Sequence, residues 1–226
     1  MKNLQALAFL LTIVAASCAS TAGEGDPRWT PLFDGETTKG WRGFKKEAMP
    51  DGWEVLDGCL VCTGGGGDIL TEGEFDNFIL RLEWKIGPKG NSGIFFRVSE
   101  DHGATYFTGP EFQVLDNAGH GDGRSTKTSA GANYALHAPV RDATRPLGEF
   151  NEVEIEVRGD YVRHSLNGVE LLSYRLWTPE WEALVAGSKF VRWPRYGRNR
   201  KGYIALQDHG DEVWYRNIRI QRLPRE

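Results

Sequence analysis

The sequence predicts an all-β sandwich of two antiparallel sheets. Three observations carry this: short segments alternating apolar and polar residues recur along the chain, two-residue turn signals separate them, and helical periodicity is almost absent. Eight Trp and eleven Phe supply the bulky apolar side chains such a core takes. At 226 residues the chain can bury one good-sized core. No repeat of roughly 20–50 residues points to a propeller or solenoid.

Residues 1–22 read as an export signal. Lys2 gives a short positive start and Leu4 to Ala16 an apolar run of 13 residues, with small residues following from Ser17 to Gly23. That run is shorter than the roughly 20 residues a helix needs to cross a bilayer. Cleavage after Ser20-Thr21-Ala22 would release a soluble protein, whereas cleavage before Cys18 would leave a lipid-anchored one. Either exit predicts export, to the periplasm, the outer membrane or the medium. A net charge of −4 argues against nucleic acid as a partner, and membrane contact is expected only through a lipid at Cys18.

A single sandwich domain is expected over 29–224. PLFDGETTKGW, from Pro31 to Trp41, holds two turn signals around a short loop. GWEVLDGCLVC is a hairpin about Asp57-Gly58. Cys59 and Cys62 have C-x-x-C spacing, but positions three apart on a strand face opposite ways, so they read as strand packing. No second Cys pair or nearby His completes a zinc set. Gly64 to Gly67 lack the Gly-Lys-Ser/Thr ending of a phosphate cradle and read as a connection. Strands follow over Phe75–Ile86, Asn91–Val98 and 109–117, then three more joined at Gly159-Asp160 and Asn167-Gly168. A short helix is expected near Pro179 to Val185, and two closing strands lie in YIALQDHG and VWYRNIRIQRL.

GPEFQVLDN, Gly109 to Asn117, is the segment from which a site would be built. Alternation puts Phe112 and Val114 on one face and Glu111 and Gln113 on the other, with Asp116, Asn117, His120 and Asp122 following closely. If the strands 79–86, 91–98, 109–117 and 203–209 share one sheet, its outer surface collects Arg81, Glu83, Lys85, Phe95, Arg97, Glu111, Gln113, Gln207 and His209. A single β-bulge would flip part of that set. The competing account is a solvated, charged sheet face. Amides and an aromatic on such a surface suit a sugar, whose hydroxyls need donors and acceptors and whose ring carbons need an apolar platform. In QDHG, Gln207 to Gly210, a His beside Asp208 reads either as a general acid or base or as a tight turn. His102, His120 and His137 sit in loops, and His164 on a hairpin strand. The loop Trp193 to Gly202 is rich in Arg and reads either as an anion site or as a solvated insertion.

Taken together, LFDGETTKGW, GWEVLDGCLVC, FILRLEWKIGPKGNSGIFFRV, GPEFQVLDN, LNGVELLSY and GYIALQDHGDEVWYRNIRI resemble, in order, the motif series of the 3-keto-disaccharide hydrolase domain family. The resemblance spans about Trp29 to Leu223. It implies a concanavalin-like, lectin-like jelly roll, a catalytic domain over 29–224 and activity on 3-keto-glycosides. The family's charged and amide positions fall on Glu111, Gln113, Asp116, Arg97, Gln207, Asp208 and His209. Family members often carry an aromatic where this chain has Ser165.

The implied chemistry sets requirements. A ketone at C3 acidifies the C2 hydrogen; a base removes it, the C1 substituent leaves, and water adds. Base, acid and a group at the developing oxyanion are needed. The expectation gives the first two roles to His209 and Glu111 in either order and the third to Arg97 or Lys85 with Gln113. A divalent cation on Glu111, Asp116 or His209 is the alternative Lewis acid. An ordinary glycosidase would need two carboxylates, Glu83 and Glu111 being the obvious pair. The rival from another class is a non-catalytic carbohydrate-binding module.

Overall fold

The computed structural model describes Asp26 and residues 28–224, so the expected export signal and Cys18 lie outside the described residues. Its strands are β1 (Thr30–Pro31), β2 (Trp41–Gly43), β3 (Trp53–Leu56), β4 (Cys59–Cys62), β5 (Ile69–Phe75), β6 (Phe78–Ile86) and β7 (Asn91–Val98). They continue with β8 (Glu111–Leu115), β9 (Asn151–Arg158), β10 (Tyr161–Leu166), β11 (Val169–Arg175), β12 (Gly202–Leu206) and β13 (Val213–Arg222). Among the described residues one α-helix, α1 (Pro179–Ala186), and four short 3-10 turns interrupt them. The α-helix starts where the Thr178 side chain accepts from Trp181 N and proline occupies the first turn.

Two antiparallel sheets form the sandwich. The larger runs β11-β10-β9-β6-β13-β4-β3, with β1 added to β13; the smaller runs β2-β5-β12-β7-β8. The hairpin turns lie where the sequence places them. Asp57 and Gly58 both have positive φ, as do Asn167 and Gly168, the conformation a two-residue hairpin turn needs.

Strand β6 shows how the large sheet is built. Leu80, Leu82, Trp84 and Ile86 are buried in the common core, while the residues between them are half-exposed. The small sheet differs, for every residue of β7 and β8 is buried. Its inner face packs on the core through Ile94, Phe96, Phe112 and Val114. On the outer face Leu70, Phe95, Val98 and Ala205 form a second cluster beneath Phe44, Tyr106 and Tyr203. The free edge of β8 is covered by the segment 131–134: Gln113 N donates to Ala132 O (3.1 Å) and Tyr134 N to Glu111 O (3.1 Å).

The expected sharing of one sheet by all four strands fails at β6. Strands β7, β8 and β12 are neighbours, but β6 lies between β9 and β13 in the opposite sheet. The chain changes sheets between Ile86 and Asn91. Alternation along a strand fixes parity and leaves the partner open, because both sheets bury an apolar face. Cys59 and Cys62 are both buried on β4, and only Cys62 joins the main core, as opposite facing requires.

Candidate active site

A hollow of about 480 Å³ opens on the outer face of the small sheet. Its floor follows from register. Phe95 pairs with Glu111, Gly93 with Gln113 and Ala205 with Phe95, so Glu111 and Gln113 project from β8 to the same side as Gly93. Gln207 continues from β12, its N–H donating to Gly93 O at 2.9 Å. The Gln207 Oε1 is buried without a partner, an acceptor left for a bound molecule. Asn91 and Asp68 complete the polar floor.

Glu111 is 6% exposed, and burial pushes its carboxyl up to about 8, with Asp68 and Asp122 acting in the same direction and Lys189 against them. It therefore holds a proton at neutral pH. Turned so that its neighbours are satisfied, the Gln113 amide nitrogen donates to Glu111 Oε1 (3.0 Å) and Ser92 O (3.1 Å). Lys189 is an exposed residue, yet its ammonium lies 4.1 Å from the Tyr134 ring centroid at the pocket wall. Desolvation there lowers its pKa, and the Glu111 charge opposes that. Tyr134 is held in turn by its hydroxyl donating to Asp122 Oδ2 at 3.0 Å.

The histidine loop is fastened from below. Asp208 N donates to Asp68 Oδ1 (3.0 Å), Gly67 N to Asp208 Oδ2 (2.7 Å) and Gly210 N to Asp208 Oδ1 (2.9 Å). The Gly64–Gly67 run thus serves a carboxylate of this chain. His209 stands exposed at the rim, its Nδ1 3.7 Å from Asp211 Oδ2 and its ring 6.2 Å from that of His120. Tyr106 and Trp193 form an aromatic wall, edge to face at 5.3 Å.

Of the residues singled out in the sequence, Glu111, Gln113, Gln207, Asp208 and His209 meet in this hollow. Five others do not. Arg97 has φ +53, and the register of β7 with β12 shifts there, so Val98 takes the outer position and Arg97 turns to Asp76 O and Gly159 O. Glu83 and Lys85 ride on β6 across the sandwich: Glu83 pairs with Arg216 (2.8 Å), and Lys85 lies over the Trp214 ring at 4.0 Å. Asp116 accepts from the amides of Lys89, Ala118 and Gly119 and lines a different hollow. Phe95 does face outward but is fully covered, so it supports the floor without offering a platform.

Among the described residues no three His, Cys, Asp or Glu side chains come together at metal-ligand spacing. Glu111 and His209 line this hollow while Asp116 lines another, so the three do not form one ligand set. His164 is buried between Phe96, Phe112 and Tyr174, Nδ1 on Gly131 O (3.1 Å), with burial pushing it down to about 4. Sequence reasoning missed Asp68, Asn91, Tyr106, Tyr134 and Lys189, most of which sit in or beside irregular segments where no period marks a facing.

The model of the 3-keto-alpha-glucoside-1,2-lyase-like domain matches residues 28–221. A 3-keto-disaccharide hydrolase of Bacteroides thetaiotaomicron is 37% identical over 224 residues, covering 85% of this chain and 77% of that protein. A crystal structure from Parabacteroides distasonis ATCC 8503, named provisionally as a glycosyl hydrolase, aligns with TM-score 0.81 at 33% identity, over 87% of this chain and 94% of that one. A Bacillus subtilis protein of unknown function with a galectin-like fold aligns with TM-score 0.56 at 14% identity, over 88% and 96%, which speaks for the lectin-type sandwich alone. By the family match along nearly its whole described length, the chain belongs to the 3-keto-alpha-glucoside-1,2-lyase-like domain family.

Proposed function

We propose that this member of a glycoside-cleaving family acts on 3-keto-glycosides, 3-keto-disaccharides among them, by elimination followed by hydration. His209 takes the C2 proton, and the electron pair passes to the C3 oxygen as an enediolate. As C3=O re-forms, a C1=C2 double bond appears and the C1 oxygen departs with the proton held by Glu111. Water then adds at C1, with a proton returned to C2, so the net change is hydrolysis. Lys189 offsets the enediolate charge in place of Arg97 and Lys85, while the Gln113 amide, its two N–H groups spent on Glu111 Oε1 and Ser92 O, positions the acid. Tyr106 and Trp193 offer apolar faces to the sugar ring, and Gln207 Oε1 accepts from a hydroxyl.

The observation that carries this reading is Glu111: a carboxylic acid kept protonated by burial, in a hollow with an imidazole, an ammonium and an unpartnered amide oxygen. A 3-keto-glucoside with a chromogenic aglycone, turned over in D2O, tests it. Elimination requires solvent deuterium at C2 of the early product above a no-enzyme control; release with C2 unlabelled rejects the route. Sugar binding without release would reassign the hollow to a carbohydrate-binding module. Export through residues 1–22 belongs to the same proposal, and cell fractionation tests it.

A further inference from the structure

A second hollow, of about 370 Å³, shares no lining residue with the first. Two guanidiniums reach it, from Arg97 and Arg200, together with the ammonium of Lys201 and the indole of Trp177. Lys201 is paired with Glu74 at 2.9 Å. The two arginines have no carboxylate within ion-pair distance among the described residues. Arg97, 2% exposed, spends three N–H groups on main-chain carbonyls: Nε and Nη2 on Asp76 O (3.2 and 2.8 Å) and Nη1 on Gly159 O (2.9 Å). Carbonyls orient a guanidinium without neutralising it, and two of its five N–H groups are left over. Among the described residues Arg200 meets the Trp177 ring, 4.3 Å from its guanidinium carbon, and Arg97 lies 5.6 Å from the same ring.

Buried charges are ordinarily paired, because desolvation is costly unless an opposite charge offsets it. Here burial holds Arg97 down to about 10, and the charge of Arg200 adds to that depression while Asp76 opposes it. Asp76, the one acidic residue among the described residues of the wall, has its carboxylate accepting from Asn77 N (2.8 Å). The backbone is strained at this spot as well: Arg97 and Trp177 both have positive φ, +53° and +64°, in residues for which that region is disfavoured. The indole itself is fixed by its N–H donating to Gly197 O at 2.6 Å.

We infer that the hollow between Arg97, Arg200 and Trp177 binds an oxyanion, the carboxylate or sulfate of a small acidic sugar, at a site separate from the reacting one. The planar forks of the two arginines match such a group, and its charge supplies what neither arginine finds among the described residues. This inference does not rest on the proposed reaction.

Calorimetry on the intact protein, with glucuronate as the probe, glucose as the neutral control and inorganic sulfate as competitor, tests it. Glucuronate is expected to bind, sulfate to displace it, and glucose to show no binding that sulfate displaces. Arg200→Gln, at an exposed position, is expected to weaken glucuronate at least fivefold while turnover of the 3-keto substrate stays unchanged. The indole N–H resonance of Trp177 should shift on titration in the wild type and less in the variant. Equal affinity in wild type and variant, or failure of sulfate to compete, overturns the proposal.

Discussion

Gly93 leaves the space that the Glu111 carboxylate fills. A methyl group built at position 93 would come within 3.0 Å of the Glu111 carboxyl carbon and 3.1 Å of its Cγ. The two residues lie on adjacent strands and face the same side of the small sheet. Gly93→Ala should therefore displace the acid while leaving the strand pairing intact. Turnover should fall about 100-fold, the scale of a misplacement near 1 Å, with the thermal midpoint changed by only a few degrees. Steady-state kinetics beside a melting curve check this, and full activity in the variant would separate Glu111 from the chemistry.

The protonation of Glu111 sets a pH window. Its folded pKa stands near 8 against an ordinary 4.5, raised by burial. The folded state binds the extra proton between those values. Stability from this group is thus fully present below about 4.5 and is lost as pH rises through about 8. Glu111→Gln keeps the shape and removes the titration. Urea unfolding at pH 6 and pH 9 should show a smaller pH loss in the variant, by an amount on the order of a few kcal/mol. Activity should fall by roughly 10²- to 10⁴-fold, the usual worth of general acid catalysis.

Asp68 acts through the loop it holds. Its carboxylate accepts from Asp208 N (3.0 Å) and from the Thr105 hydroxyl, and burial raises its pKa. Asp68→Ala removes both acceptors at a cost of about 1–3 kcal/mol and frees the segment bearing His209. Asp68→Asn keeps an oxygen for the Asp208 amide and should restore most of the turnover. Comparable losses in both variants would show that an anchored loop is not what Asp68 provides.

Much of this molecule was legible in residue order, and the boundary is physical. Hairpins at Asp57-Gly58 and Asn167-Gly168 announce themselves because only a few residues tolerate their backbone. Glu111 and Gln113 were legible because a strand repeats every two residues. The same rule misassigned Arg97, since one added residue reverses facing beyond it, and Glu83, since alternation names a face without naming a sheet. Lys189 and Tyr106 lie in short turns, where distant contacts decide orientation. The stacking of Phe190 on Tyr196 at 3.8 Å, beside Lys189, is one such contact.

In the proposed reaction Lys189 takes the cation role that the sequence assigned elsewhere, and that role can be told apart from simple support. The reacting sugar gathers negative charge at the C3 oxygen, and a nearby ammonium is worth most there, since water is partly excluded. Lys189→Met should lower turnover about 100-fold with a smaller change in KM, and Lys189→Arg should recover part of it. A residue that merely props the wall would give the same loss, so the pH profile decides. Lys189 now draws the Glu111 pKa down against burial. Removing its charge must raise that pKa further, and the alkaline limb of the rate profile must move to higher pH. A limb that stays in place while turnover falls would mean that Lys189 does not face Glu111, and the oxyanion role assigned to it would fall.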